Sequence, residues 1–291
     1  MAKLSLNKSQ SGSQLGQSLF KQQISDEEFA DDYLDDPIEY FRSEVAEQGQ
    51  DVWRFICTHP DMDHLSGIDR LWGQESVSVF WDNDHEKDLS DADHWPDKYD
   101  EVDWERYATI RNDETDCQYL QPSRGSQKQY WEDDNIQILH PSPSFVNEIN
   151  EQNEDSVSNK YNNISYVIKL DTRAGAILLP GDAEKEAWDE ILDYWDEEIF
   201  EDVRVLKASH HGREDGFHKE AVEAIDPEYV VLSVGAKPST DAHQKYNRVC
   251  SDDTKIWSTR QYGTISFTVA NRGAIIPSRA VPDGIFDLPG E

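Results

Sequence analysis

The sequence predicts a layered α/β domain on three observations. Short β-rich runs lead into loops and amphipathic stretches, the strand-loop-helix-strand order of layered α/β proteins. The 291 residues suit one large domain with a sizeable core. No short internal period recurs, which disfavours solenoids and propellers.

Along the chain, residues 1–35 read as a loose leader, the first part rich in Ser, Gln, Lys and Gly without periodicity. Over residues 36–47, Ile38, Phe41 and Val45 recur at helical spacing, with Pro37 suited to the first turn and Gly49 to the end. The run at residues 52–57 is a strand that delivers the chain into Thr58-His59. Residues 65–72 read as a helix and Val77–Trp81 as a strand. The highly charged residues 83–134, with Trp95, Tyr99, Trp104 and Tyr107 scattered through them, read as an insertion of helices and loops within one domain over residues 36–291. Strands follow at 136–139, 165–170 and 176–179, the last two joined by a hairpin turn at 171–175, so a meander is expected. A helix at 184–194 and strands at Val203–Lys207 and 229–234 come next, with Lys255–Ser258 and 264–269 as closing strands.

Composition bounds the function. Hydrophobic residues make up 36%, yet nine Trp, twelve Tyr and ten Phe supply bulky core material that disordered chains lack. Against 27 basic residues stand 60 acidic ones, a formal charge of -33. Such a surface repels polyanions in dilute salt and offers little to long nucleic acid, which is bound mainly through Lys and Arg. Above about 1 M salt the screening length falls to roughly 3 Å and the repulsion fades, so a salt-rich cytoplasm is one home for the chain. Cys57, Cys117 and Cys250 are odd in number and scattered, which excludes a disulfide framework and a CxxC zinc knuckle and suits a reducing compartment. No apolar run approaches the roughly 20 residues that span a bilayer. The expectation is a soluble cytoplasmic protein without membrane contact, and nothing in the sequence speaks to its oligomeric state.

Chemistry gathers at strand ends. His59, Asp61, Asp63 and His64 place two imidazoles and two carboxylates on one loop. A turn leaving a strand can point alternate side chains one way, so His59 and Asp61 could share one ion while Asp63 and His64 reach another about 3.5–4 Å off. Asp182 follows Leu178-Leu179-Pro180-Gly181, an apolar strand ending in a glycine turn, and could bridge two ions. His210-His211-Gly212 follows the strand ending at Lys207 in the same manner. Three strand-end loops carrying ligand types are far more specific than one acidic loop in an acidic chain.

Taken together, Thr58-His59-Pro60-Asp61-Met62-Asp63-His64-Leu65-Ser66-Gly67, Asn162-Asn163-Ile164-Ser165, Leu179-Pro180-Gly181-Asp182-Ala183-Glu184 and Leu206-Lys207-Ala208-Ser209-His210-His211-Gly212 resemble the metallo-β-lactamase superfamily. More narrowly, the pattern resembles the hydrolase domain of the bacterial competence channel that internalises DNA. Both the order of motifs and Asp61, where the wider superfamily usually has His, fit that branch, and the likeness runs over roughly residues 36–269. The resemblance implies a four-layer αββα sandwich with a metal site at one edge of the two sheets, and hydrolysis, often of phosphodiesters. It implies His59, Asp61, Asp63, His64, Asp182 and one or both of His210 and His211 as ligands of two divalent ions. Asn162 stands where many relatives keep a histidine ligand, and with Ser165 and Lys207 it is expected against substrate or ligands. His243 falls near a Gly-His-Pro segment of that branch. These proteins normally begin with a strand pair carrying an Asp-Val-Gly-Gln-Gly-Asp-like turn and a later Asp-x-Gly; neither precedes Asp36, so the first sheet is expected to be incomplete on its N-terminal side.

The expected reaction is attack of a metal-activated water on phosphorus or a carbonyl, with Asp63 orienting the nucleophile. His243, or the histidine of the pair left unliganded, would protonate the leaving group. Asp61 and Asn162 make the donor set oxygen-rich, which favours manganese and admits magnesium and zinc. Lys207, Arg213 and Lys237 lie beside the motif loops and could offer charge to a phosphate. A small phosphodiester or a short nucleic-acid strand is the expected substrate. The alternative is a catalytically reduced regulatory or partner-binding protein that keeps a metal; a lactamase-type amide hydrolase ranks last.

Overall fold

The computed structural model describes residues 25–282 apart from 47–48, 90–94, 96–97, 127–133, 156–159, 235–239 and 271–272. It is a mixed α/β structure with two main sheets and a separate two-stranded hairpin. Among the described residues no helix is long and apolar enough to cross a membrane.

The first sheet has the order β1 (Val52–Ile56), β2 (Val77–Trp81), β3 (Gln118–Leu120) and is parallel throughout. Parallel neighbours need a crossover, usually helical. Here α3 (Met62–Leu65) and α4 (Ile68–Gln74) join β1 to β2, and α5 (Glu101–Arg111) joins β2 to β3. The charged stretch read as an insertion therefore holds a strand of this sheet and the helix that covers it. Trp104, Tyr107 and Ile110 recur at helical spacing and are buried against Phe80, Leu65 and Ile68. Asp103 on the same helix is only 4% exposed, because its carboxylate accepts from the backbone N–H groups of Gly67 at 2.8 Å and Asp69 at 3.0 Å. It caps α4 from a different element. Among the described residues no strand precedes β1, which forms one edge of this sheet.

The second sheet has six strands in chain order: β4 (Ile136–His140), β5 (Val167–Thr172), β6 (Gly175–Leu179), β7 (Val203–Lys207), β8 (Tyr229–Leu232) and β9 (Lys255–Ser258). The expected meander is present from β4 to β6, and from β6 onward the pairs are parallel. Thr172 pairs with Gly175, so the hairpin loop is only Arg173 and Ala174, tighter than the expected turn. β10 (Ile265–Val269) does not close this sheet as expected but pairs with β11 (Ile275–Arg279). Its Phe267 ring packs 5.3 Å from Tyr229 and 6.4 Å from Trp257, which draws the hairpin onto the sheet instead of beside its edge.

Burial on both faces explains the near-continuous apolar run of β2, where Val79, Phe80 and Trp81 are all buried. Side chains alternate along a strand. Val79 and Trp81 join Ile56 and Leu120 against Ile138, Tyr166 and Ile168 of the second sheet, while Phe80 between them faces α3, α4 and α5. On the second sheet, Leu178, Leu206 and Val230 pack with Trp188 and Ile191 of α7 (Lys185–Tyr194) and Val222 of α8 (Lys219–Ile225). α6 (Pro143–Asp155), α9 (His243–Val249) and α10 (Thr259–Tyr262) complete the helices with α2 (Pro37–Glu44) and α1 (Asp26–Tyr33). α1 lies inside the stretch read as leader. Ser25 caps it locally, accepting from the Glu28 N–H at 3.1 Å, and Phe29 is buried beside Val281, a contact too distant in sequence for local pattern to show.

Candidate metal centre

Three strand ends build the site. β1 ends at Ile56 and the chain continues through Cys57, Thr58 and His59 into α3, a single turn that places Asp63 and His64 side by side. The Thr58 carbonyl accepts from the Tyr166 N–H at 3.0 Å and from Asn83 Nδ2 at 3.2 Å, which ties this loop to the second sheet. Asp61 occupies the N-cap position of α3 yet makes no side-chain cap, so its carboxylate is available elsewhere.

After β6, Gly181 has φ 56°, and a Cβ there would stand 3.0 Å from the Cβ atoms of both Thr58 and Ser165. Only glycine lets this turn sit between the two loops. Its neighbour Asp182 is 1% exposed, and the Asp182 N–H donates to Ser165 Oγ at 3.1 Å. After β7, His210 and His211 have φ 47° and 57°, two successive left-handed non-glycine residues. Such conformations cost about 1–3 kcal/mol each and persist where surrounding structure imposes them. The consequence here is that the two imidazoles diverge.

His211 turns inward. Its Nε2 lies 3.2 Å from Asp182 Oδ2 and 3.6 Å from Asp63 Oδ2, and His64 Nε2 lies 3.1 Å from the same Asp182 oxygen. Ligand atoms of Asp63, His64, Asp182 and His211 all fall within 4.8 Å of one another. His210 turns its Nδ1 away, 2.9 Å from Asp215 Oδ1 and 3.4 Å from Glu184 Oε1 in a second candidate ligand group, while its Nε2 stays 3.8 Å from Asp182 Oδ2. His59 borders the first group through its ring, 4.2 Å from that of His64, and its Nε2 is 3.9 Å from Asp61 Oδ2. The other Asp61 oxygen takes the Lys87 ammonium.

The histidines are oriented from behind. Thr58 Oγ1 lies 3.2 Å from Nδ1 of His59 and 3.4 Å from Nδ1 of His64, and Ser233 Oγ lies 3.3 Å from Nδ1 of His211. Each Nε2 is thereby left facing the centre, the arrangement that partners of ligating histidines impose. Nε2 of His59, His64 and His211 and Oδ1 of Asp182 are buried without a hydrogen-bond partner among the described residues. Buried polar atoms are costly when unsatisfied. A divalent cation satisfies those of His64, His211 and Asp182, so the donor set of the group of four fits a metal ion.

Electrostatics point the same way. Burial pushes the Asp182 carboxyl up, but the facing imidazoles of His211 and His64 and the charge of Lys207 hold it well below the ordinary range. Asp63 is held down chiefly by His211. Burial and the neighbouring His64 push His59 down to about 4, keeping it neutral, and Asp182 with Asp63 raises His211 to about 9. Burial lowers Lys207, whose Nζ lies 3.3 Å from the Gly181 carbonyl and 3.6 Å from Asp182 Oδ1.

Other expected site residues sit further out. Asn162 donates to Glu184 Oε1 at 2.9 Å and is outside the four-residue group. His243 opens α9, its backbone N–H bonded to Asp241 Oδ1 at 3.0 Å, and belongs to neither ligand group. Arg213 pairs by its backbone with Asp241, and Lys237 lies outside the described residues. Sequence reasoning missed Lys87, Asp215, Ser233 and the hydroxyl of Thr58. Of these only Thr58, adjacent to His59, carried a readable signal.

No family model matches the chain. It is similar to ComE operon protein 3 of Bacillus subtilis (strain 168), 29% identical over 115 residues. That match covers 38% of this chain and 14% of the relative's length.

Proposed function

We propose that the chain is a metal-dependent hydrolase of the metallo-β-lactamase fold that cleaves phosphodiester bonds. The observation that carries it is the convergence of Asp63, His64, Asp182 and His211 within 4.8 Å, with the imidazole Nε2 atoms facing inward. The two sheets packed through Trp81 and Ile138, each with helices on its other face, support the four-layer αββα reading. The partial similarity to ComE operon protein 3 is in keeping with the branch named on the motifs.

When bound, a divalent cation supplies Lewis acidity and makes a nearby water a better nucleophile at neutral pH. The chain's own residues do the rest. The Asp182 side chain is 2% exposed and the Asp63 side chain 46%, so Asp182 anchors from within while Asp63 faces the side from which substrate and water arrive. Asp63 is the residue placed to orient a nucleophile. His210, which burial lowers but Glu184, Asp182 and Asp215 raise further, holds its Nε2 3.8 Å from Asp182 Oδ2 and is the candidate proton donor in place of His243. A cleft of about 900 Å³ opens beside Asp63 and His64, lined by Ile38, Phe41 and Phe55 with Asp36, Asp69 and Asp103. Its Arg70 is paired with Asp36. Such a cleft suits a small phosphodiester or a short strand far better than a long polyanion.

The preference for manganese rested on Asp61 and Asn162. Neither belongs to the group of four, whose two carboxylates and two imidazoles accept zinc as readily as manganese. Metal-dependent turnover of bis-p-nitrophenyl phosphate, abolished in Asp63→Ala and Asp182→Ala, tests the reading. Retained metal with no turnover on a broad phosphodiester panel would favour the partner-binding alternative.

A further inference from the structure

We propose that the Lys87 ammonium, paired with Asp61, takes the place of a second cation, so that the chain binds one divalent ion, at Asp63, His64, Asp182 and His211. This rests on the metal-centre reading above and departs from the two ions expected from the motifs.

Three observations carry it. Asp61 is engaged: Lys87 Nζ donates to its Oδ1, in a pair whose side chains are only 10% and 24% exposed. His59 and Asp61 belong to neither ligand group, and Asn162, the position expected to complete that half, donates to Glu184 instead. Charge is the third. Asp61, Asp63 and Asp182 face the centre, and Lys207 already lies 3.6 Å from Asp182. Two divalent ions would leave four cationic groups against three carboxylates, with the second ion beside an ammonium of like charge.

Lys87 is held in place and is not a wandering surface side chain. Asn83 anchors the loop after β2 by donating to the carbonyls of Thr58 at 3.2 Å and Ile164 at 2.9 Å. Asn150 donates to the Asp84 carbonyl at 3.0 Å and accepts from the Glu86 N–H at 3.1 Å. The Lys87 N–H itself donates to Nδ1 of His85, 3.0 Å away. His85 Nε2 meets the Tyr107 hydroxyl, which donates to buried Asp82 at 2.7 Å, so one neutral tautomer of His85 satisfies both contacts. This buried chain runs from Asp82 to the backbone of Lys87 and fixes where the ammonium starts.

The test is manganese stoichiometry on the full chain after chelation, read by elemental analysis and by electron paramagnetic resonance. Wild type should bind one ion per chain with the six-line spectrum of an isolated ion. Lys87→Met should bind two and show an exchange-coupled pair, while Lys87→Arg, which keeps the charge, should stay at one. Two ions in wild type, or one in a folded Lys87→Met, would overturn the proposal and leave the metal centre standing. Should Lys87→Met not fold, the wild-type stoichiometry and spectrum alone decide between one ion and two. No ion in wild type would overturn the metal-centre reading itself, and this proposal with it.

Discussion

Nε2 of His211 lies 3.2 Å from Oδ2 of Asp182, joining the end of β7 to the end of β6 across a buried carboxylate. If this pair anchors the ion, Asp182→Asn should lower metal affinity by more than about 100-fold, since partners that merely orient ligands are worth about 10–100-fold. Competition with a fluorescent chelator measures it. His243→Ala, outside both ligand groups, should leave affinity within about twofold of wild type, which follows from its place in the fold.

Thr58 offers a subtler variant. Its hydroxyl reaches Nδ1 of both His59 and His64, and Thr58→Val removes it at nearly constant volume. Metal affinity should fall about 10–100-fold while thermal stability of the metal-free chain changes little. Unchanged affinity by the same competition assay would show that the hydroxyl does not orient these rings.

The role of α5 is decided by stability. Ile110 is fully buried against the first sheet, so Ile110→Ala should cost about 2–5 kcal/mol in denaturant unfolding. A peripheral insertion would lose under about 0.5 kcal/mol at a surface position.

Acid stability has a predicted sign at Glu190. Burial opposes its ionisation, but hydrogen bonds from His140 at 2.6 Å and from Ser142, with the charge of Arg124, leave its carboxyl below the ordinary glutamate range. A carboxyl lowered on folding contributes stability above its unfolded pKa of about 4.3 and loses it as pH falls through the lower folded value. Unfolding curves from pH 6 to pH 3 should therefore lose stability more steeply in wild type than in Glu190→Gln. Parallel profiles would remove Glu190 from the account.

The strands β2, β7 and β9 were legible to the residue because each is a short run rich in Val, Ile, Phe or Trp set between polar and turn residues. α5 and β3 were not, since Glu101, Asp103, Glu105 and Arg106 mask the helical spacing of Trp104, Tyr107 and Ile110, and Asp103 acts through a cap on another helix. The ligand types at the strand ends were legible in the same way. Which of His210 and His211 turns inward was not, because it depends on two left-handed backbone angles that no side-chain pattern encodes. Lys87 was invisible for a further reason: the contacts that bring its loop to Asp61 come from residues as distant in the chain as Asn150 and Ile164.

The most direct test of the central claim is the rate of bis-p-nitrophenyl phosphate hydrolysis by chelated protein reloaded with manganese or zinc. The account predicts turnover that appears only on reloading and drops at least about 100-fold in Asp182→Asn assayed at the same metal concentration. Turnover that survives chelation, or wild-type protein that binds metal and hydrolyses nothing, would contradict it.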